Sequence, residues 1–257
     1  GEEWLGLVLR SLTGLYLAGG KPLEARTYGK ELYEFDRSFN GNPFARLHNL
    51  LLVGEVYRVA GDINKSIELY RLAVERIRQE PQLDVVLTAI PLNGLAAIYL
   101  QIGDPTAAVK KSREALEFLD NNPDSLSEYV RVNVLSNYGT ALWELSRFTL
   151  AESILLEALY LEERLRGYTA TYFTITNNLA GVYFTLGQPK KAKAFFEIML
   201  ERAEKSIGRD TELFAMLLAN LGETFSELGD HKQAIEYLEQ ALLIVETLFQ
   251  SDDRRVG

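Results

Sequence analysis

The sequence of 257 residues contains no cysteine, which excludes a disulfide framework, a thiolate metal site and a cysteine nucleophile. It contains two histidines, His48 and His231, which lie far apart along the chain. No HExxH, GxSxG or zinc-type spacing occurs. We therefore predict that the chain is not an enzyme, and we expect no catalytic residue, no metal site and no cofactor.

Long apolar runs and an excess of positive charge are also absent. No run of 18 or more apolar residues occurs, so no membrane span is predicted. The 27 basic and 36 acidic residues give a net charge of −9, which opposes binding to a phosphate backbone. The first residues, GEEWLGLVLRSLTGLYL, lack a basic n-region and are typical of an amphipathic helix rather than a secretory signal. We expect no nucleic-acid or membrane partner, and the cytoplasm is the default location.

What the chain does contain is an internal repeat. Five small residues recur at steps of 42, 43, 41 and 42, and each lies five positions after a glycine or, once, a serine. The small residues are Ser66, Ala108, Ala151, Ala192 and Ala234, and the turn residues before them are Gly61, Gly103, Ser146, Gly187 and Gly229. Gly20 and Ala25 fit one step earlier, which gives six units. A fixed period of this size is typical of stacked-repeat proteins.

Each unit is predicted to form two helices, A and B, on either side of its turn residue. In the fifth unit Leu179, Tyr183 and Leu186 recur at steps of four and three, as on one face of a helix. Gly187 permits the left-handed conformation that ends helix A, and Pro189 favours the start of helix B.

The repeat resembles the tetratricopeptide repeat, whose pattern combines small residues at positions eight, twenty and twenty-seven with a large residue at position eleven. Position eight is Gly54, Ala96, Gly139, Ala180 and Gly222, and position eleven is Tyr57, Tyr99, Leu142, Tyr183 and Phe225. The twenty-seventh position is Ala73, Ala115, Ala158, Met199 and Ala241. Small residues at eight and twenty let helices A and B approach closely.

The resemblance implies an all-α fold, a right-handed superhelical solenoid of about six antiparallel helix pairs. We expect one domain over residues 1–250 and a frayed tail over 251–257. The expected units are 1–40, 41–82, 83–124, 125–167, 168–208 and 209–250. Because the units average about 42 residues rather than the family's usual 34, they resemble the long repeats of kinesin light chains, Pins-type scaffolds and MalT-like regulators.

Two units depart from the family pattern. The first has Thr13 and Gly29 where packing residues belong, and we expect it to be a cap whose outer face tolerates water. The third has Pro91 inside its expected helix A, which predicts a kink or a late helix start.

A column of asparagines is the candidate binding feature. Asn137, Asn178 and Asn220 all occupy repeat position six, and the third unit has Asn93 one residue early. In kinesin light chains and Pins-type scaffolds a similar ladder on the concave face holds an extended peptide, because an amide can pair with both the N–H and the C=O of a backbone. The alternative is that these asparagines bridge neighbouring helices without touching a ligand.

Other concave positions are predicted to contribute. Trp143 and Phe184 both fall at repeat position twelve, where they could form pockets for apolar side chains or pack against the adjacent repeat. Glu144 and Glu223 would make this part of the groove acidic.

The sequence thus predicts a non-enzymatic protein- or peptide-interaction scaffold that binds an extended partner segment in its concave groove. Two alternatives remain open. One is an effector-sensing domain of a larger MalT-like signalling ATPase or transcription regulator, and the other is a receptor for a peptide pheromone.

Overall fold

The computed structural model describes residues 2–38, 41–80, 83, 85–123, 125–206 and 208–253. Over these residues the chain forms twelve α-helices and one 3-10 helix, and no strand. The α-helices are α1 (Glu2–Ala18), α2 (Pro22–Ser38), α3 (Pro43–Val59), α4 (Ile63–Gln79), α5 (Ala89–Gln101), α6 (Pro105–Asn121), α7 (Ser125–Glu144), α8 (Phe148–Arg166), α9 (Ala170–Thr185), α10 (Pro189–Ser206), α11 (Glu212–Glu227) and α12 (His231–Asp253). The odd-numbered helices are the A helices of the repeat and the even-numbered helices are the B helices.

The helices pack into two compact units, residues 1–141 and residues 142–257. In the first unit α1, α3 and α5 each pack on the B helix that follows, and α2 and α4 each pack on the next A helix. Residues of α6 and α7 share one hydrophobic cluster. The second unit repeats this arrangement from α8 to α12. The predicted all-α solenoid of helix pairs is therefore confirmed.

The turn residues end the A helices as the sequence predicts. Gly61, Gly103, Gly187 and Gly229 all have φ between +66° and +83°, a left-handed conformation that suits glycine. Ser146 takes the same role with φ of +59° and is the one residue other than glycine with positive φ among those described. The turn geometry is thus kept in the fourth unit although its glycine is missing.

Close approach of helices A and B depends on the small residues that mark the repeat. Ala108, Ala151 and Ala192 are fully buried, and Ala234 is nearly so. Ser66 is buried as well, and its hydroxyl donates to the carbonyl of Gly54 at 2.7 Å, so it joins α4 to α3. A larger side chain at these positions would force the two helices apart.

The first unit is a packed helix pair, but the outer face of α1 is not polar. Thr13 is buried and donates to the carbonyl of Leu9, and its methyl group lies 3.6 Å from the position that a Cβ of Gly29 would occupy. Leu15, however, is 70% exposed on α1. The expectation of a water-tolerant cap is wrong on this point.

Helix A of the third unit begins late, as Pro91 predicts. A 3-10 helix, Val85–Thr88, precedes α5, which starts at Ala89 and has 13 residues. Pro91 lies in the first turn of α5, where its missing N–H removes no intrahelical hydrogen bond.

At the other end, α12 continues to Asp253, so residues 251–253 of the predicted tail are helical. Residues 254–257 of that tail lie outside the described residues. Among the described helices, none combines the length and the apolar character that crossing a bilayer requires.

Candidate functional site

In the second unit the A helices leave a stripe of side chains that are exposed or half-buried. On α9 the stripe contains Thr174, Asn178, Gly181 and Thr185, at steps of four, three and four. On α11 it contains Met216, Asn220 and Glu223, at steps of four and three. These steps put each set on one helix face, so a ligand can reach both without displacing the core.

An asparagine pair joins these two A helices. The Nδ2 of Asn220 on α11 donates to the Oδ1 of Asn177 on α9, and both residues are half-buried. An amide side chain has two N–H donors and an oxygen with two lone pairs. The pair therefore leaves one donor and the oxygen of Asn220, together with both donors of Asn177, without a partner among the described residues. We call Asn177 and Asn220 the α9–α11 amide pair.

The first unit contains the same contact. The Nδ2 of Asn137 on α7 donates to the Oδ1 of Asn93 on α5 at 2.9 Å, and these residues form the α5–α7 amide pair. In both pairs the donor lies nine residues before the turn residue of its unit, and the acceptor lies ten residues before that of the preceding unit. The contact is therefore a repeated feature of neighbouring A helices.

Sequence reasoning missed Asn177. The predicted column follows repeat position six and therefore contains Asn178, whereas Asn220 donates to Asn177. Asn93 and Asn177 share one repeat position, and that coincidence was the available signal. Asn178 is half-buried next to Asn177, and its predicted contact with a ligand stays a prediction.

The third unit has glycine at position six because an aromatic ring fills the space. A Cβ on Gly94 would lie 2.5 Å from the Tyr70 ring, which is 5% exposed. The Tyr70 hydroxyl donates to Glu55, and burial raises the pKa of Tyr70 well above its ordinary value. Burial disfavours the charge of Glu55, but two hydrogen bonds from Arg58 hold its pKa below the usual range. The ring is thus fixed at both its edge and its hydroxyl.

We predict that Gly94→Ala destabilises the protein although it places alanine in a helix. The methyl group must displace a ring whose hydroxyl is hydrogen-bonded, and overpacking of this kind costs about 1–3 kcal/mol. The gain in helix propensity offsets roughly 1 kcal/mol of that cost. Gly14→Ala in α1 is the matched control, because no atom lies within 4 Å of its added Cβ, and it should stabilise the protein. Urea titration of the two variants measures the difference, and equal shifts in the same direction would contradict the packing of Tyr70.

Trp143 packs against the next A helix. Its Nε1 donates to the hydroxyl of Thr185 at 2.9 Å, and a Cβ on Gly181 would lie 2.9 Å from the indole ring. Glycine at position 181 therefore makes room for the ring. Trp143 remains half-buried, so part of the indole is accessible beside the stripe on α9.

The remaining predicted residues of this unit are also accessible. Phe184 is half-buried on α9, and Glu144 and Glu223 are exposed. Neither carboxylate has an ion-pair partner among the described residues. Partial burial raises the pKa of Glu144, so its charge is less well solvated than that of a free carboxylate.

A sequence model described as tetratricopeptide repeat matches residues 45–121, 130–197 and 171–246, which together exceed half of the chain. The chain belongs to the tetratricopeptide-repeat family. No match was found among the curated proteins.

Solved structures show the same fold at low sequence identity. BtubC from P. vanneervenii is 20% identical with a TM-score of 0.70, over 96% of this chain and 92% of that one. The Rap conjugation gene regulator of the plasmid pLS20, solved with a Phr peptide, is 14% identical with a TM-score of 0.63, over 95% and 75%. A signal transduction ATPase with a tetratricopeptide repeat sensor, from Pyrococcus horikoshii, is 16% identical with a TM-score of 0.70, over 99% of this chain and 38% of that one.

Proposed function

We propose that this chain is a non-enzymatic interaction module whose A helices bind an extended segment of a partner protein. The observation that carries the proposal is the repeated amide pair, which leaves hydrogen-bonding groups without a partner on half-buried asparagines. An extended backbone offers N–H and C=O groups that match these remaining donors and acceptors. The peptide-bound Rap regulator supports the proposal, since it shares the fold.

The accessible aromatic rings would supply part of the affinity. Trp143 and Phe184 lie at equivalent positions of α7 and α9, and both are half-buried. A side chain of the partner that covers the exposed part of each ring would remove apolar surface from water. Because the Trp143 indole is already held by Thr185 and Gly181, it would be ordered before the ligand arrives.

The charge of the stripe favours a partner with basic side chains. Glu144 and Glu223 are exposed carboxylates that form no ion pair among the described residues. Partial burial raises the pKa of Glu144, and a lysine or arginine of the ligand would favour its charged form. This contribution should be fully present above the pKa of Glu144 in the free chain, and it should be lost as the pH falls through the lower pKa that the ligand's cation gives Glu144 in the complex.

A second candidate is an effector-sensing domain of a larger signalling ATPase. The similarity to the Pyrococcus horikoshii protein favours it, because this chain spans 38% of the length of that protein. The same stripe would then bind a small effector instead of a peptide. Ligand length separates the two functions, since an extended peptide loses affinity when it is shortened to two or three residues.

The test is selection of peptides from a displayed random 12-residue library on this chain. We expect 1:1 binding of peptides enriched in lysine and arginine, read from Trp143 fluorescence in a Trp4→Phe background. Hydrogen exchange should show protection of α9 and α11. A library that yields no binder would contradict the proposed function. So would protection from hydrogen exchange that is limited to the B helices.

Variants of the carboxylates add a control for specificity. Glu144→Gln with Glu223→Gln should weaken the selected peptides about two- to tenfold, because exposed ion pairs are worth up to ~1 kcal/mol each. Glu239→Gln, an exposed carboxylate on α12, should leave the affinity unchanged.

A further inference from the structure

Two buried positions near α1 carry polar side chains where the repeat is otherwise mainly apolar. Asn49 on α3 and Asp36 near the end of α2 are both buried. Counted from the turn residue of each unit, the counterparts of Asn49 in the four later A helices are all buried and apolar, namely Pro91, Val134, Ile175 and Leu217. Burial of a polar group costs stability unless hydrogen bonds compensate for it. These two residues therefore need a cause other than the packing of the helices.

Asp36 lacks the ion pair that another buried carboxylate at the same repeat position has. That carboxylate is Glu162, which lies 2.6 Å from the guanidinium of Arg166. Asp36 forms no ion pair among the described residues and accepts one hydrogen bond there, from the Nδ2 of Asn49 at 3.0 Å. Because a carboxylate has about four acceptor sites, Asp36 can accept further hydrogen bonds.

Three arginines act on the charge of this carboxylate. Burial raises the pKa of Asp36, and the arginine charges oppose that shift; they are those of Arg76, Arg46 and Arg10. Burial and the charge of Arg46 in turn lower the pKa of Arg76, which pairs with Glu80 at 3.9 Å. Three guanidinium groups thus face two carboxylates, and the cluster has an excess of positive charge.

Two of these arginines have donors to spare. The Nε of Arg46 is buried and has no hydrogen-bond partner among the described residues. Arg10 donates through its Nε to the Oδ1 of Asn49, and its terminal N–H groups form no hydrogen bond within the same part of the chain. Buried N–H groups in folded proteins nearly always have a partner. The Nε of Arg46 therefore indicates an acceptor that the described chain does not supply.

A cavity of about 230 Å³ lies between these side chains. It is lined by Arg10, Asp36, Arg46 and Asn49, and by backbone at the start of α3. Since a water molecule occupies about 30 Å³ in the liquid, a tetrahedral oxyanion fits together with ordered water. The cavity is enclosed by three consecutive helices, α1, α2 and α3, and shares no residue with either amide pair.

We propose that this cavity binds free inorganic phosphate as the hydrogen phosphate ion. Its terminal oxygens would accept hydrogen bonds from Arg10 and Arg46, and its P–OH group would donate to Asp36. The forked donors of arginine match the oxygens of phosphate, and such charge-assisted hydrogen bonds are among the strongest in proteins. The excess of positive charge selects an anion, and the carboxylate selects an anion that carries a proton.

Asp36 separates this ligand from other anions. Sulfate and simple carboxylates carry no proton at mildly alkaline pH, so their oxygens would meet the Asp36 carboxylate as like charges. A phosphate ester on a side chain loses its last proton at about pH 6, whereas free phosphate keeps one above that pH. The site is therefore suited to free phosphate and not to a phosphorylated partner.

The test is isothermal titration calorimetry of the whole chain with phosphate, sulfate, acetate and methyl phosphate at mildly alkaline pH. We expect 1:1 binding of phosphate that is about tenfold or more tighter than binding of the other three anions, because one charge-assisted hydrogen bond accounts for about that factor. Arg46→Gln should weaken phosphate binding by a similar factor. Its melting temperature should stay close to that of the wild type, since the Nε of Arg46 has no partner to lose among the described residues.

Asp36→Asn tests the acceptor. Its amide oxygen can still accept from Asn49, but its N–H groups can donate to any oxyanion, so sulfate and phosphate should bind this variant equally. Arg37→Gln is the matched control, because the Arg37 side chain is 66% exposed beside Asp36, and it should bind like the wild type.

Four results would overturn the proposal. They are a wild type that binds no phosphate at millimolar concentration, a wild type that binds sulfate, acetate or methyl phosphate as tightly as phosphate, an unchanged affinity of Arg46→Gln, and an Asp36→Asn variant that still prefers phosphate to sulfate. Helical circular dichroism of each variant checks that the fold is kept.

Discussion

A chain in which both amide pairs are replaced by alanine is expected to lose roughly a hundredfold or more in affinity for the selected peptides. The four substitutions are Asn93→Ala, Asn137→Ala, Asn177→Ala and Asn220→Ala. Each partner group of the peptide backbone that is left buried without a hydrogen bond costs about 1–3 kcal/mol, and a factor of ten corresponds to about 1.4 kcal/mol. Loss of two such bonds therefore accounts for a change of this size, which isothermal titration calorimetry can measure.

The stability of the same variant separates a ligand-binding role from a structural one. Each pair joins two A helices by one hydrogen bond, and such a bond contributes about 0.5–1.5 kcal/mol. The melting temperature should therefore fall only slightly. Asn64→Ala, an exposed asparagine on α4, is the control and should change neither quantity. A variant that melts far lower yet keeps its affinity would show that the asparagines only bridge helices.

The fold was predictable because its signals are local in the sequence. A turn residue and a small residue five positions later recur in each unit, and both act within one helix pair. The turn residue ends helix A through its own φ, and the small residue decides how closely helix B approaches. Even Ser146, which breaks the glycine pattern, was placed correctly by its spacing alone.

The partners of the asparagines were not predictable in the same way. Asn220 donates to Asn177, which lies one repeat position earlier on α9 than Asn220 does on α11, and no single unit encodes a contact between neighbouring units. Alignment of identical repeat positions therefore selected Asn178. Glycine at position six of the third unit has a cause of the same kind, since Gly94 adjoins the ring of Tyr70, which belongs to the preceding unit.

The expectation that the outer face of the first unit tolerates water was wrong for a related reason. The family pattern treats a departure such as Thr13 as the mark of a terminal unit, but a cap is defined by its outer face. The sequence of that face, with Val8, Leu12 and Leu15, was already of interior type. The repeat register identifies it only when each residue is compared with its counterpart in the other A helices.

Phe173→Ala is expected to cost about 3–5 kcal/mol of unfolding free energy, because a fully buried aromatic side chain is removed and the cavity closes only in part. The Phe173 ring also packs edge-to-face on Tyr172, with centroids 5.7 Å apart. In a repeat protein each unit contacts mainly its neighbours, so the damage should be local. Hydrogen exchange should rise in α8–α11 and stay unchanged in α1–α4.

Phe184→Ala on the same helix is the matched control and links stability to binding. Since Phe184 is half-buried, its removal should cost about 1 kcal/mol or less, while weakening peptide binding through loss of an apolar contact. Phe173 lies in the core, so its replacement should leave peptide affinity unchanged at temperatures where the variant is folded. Equal losses of stability for the two variants, or a uniform rise of exchange from α1 to α12, would contradict the division between core and binding face on α9.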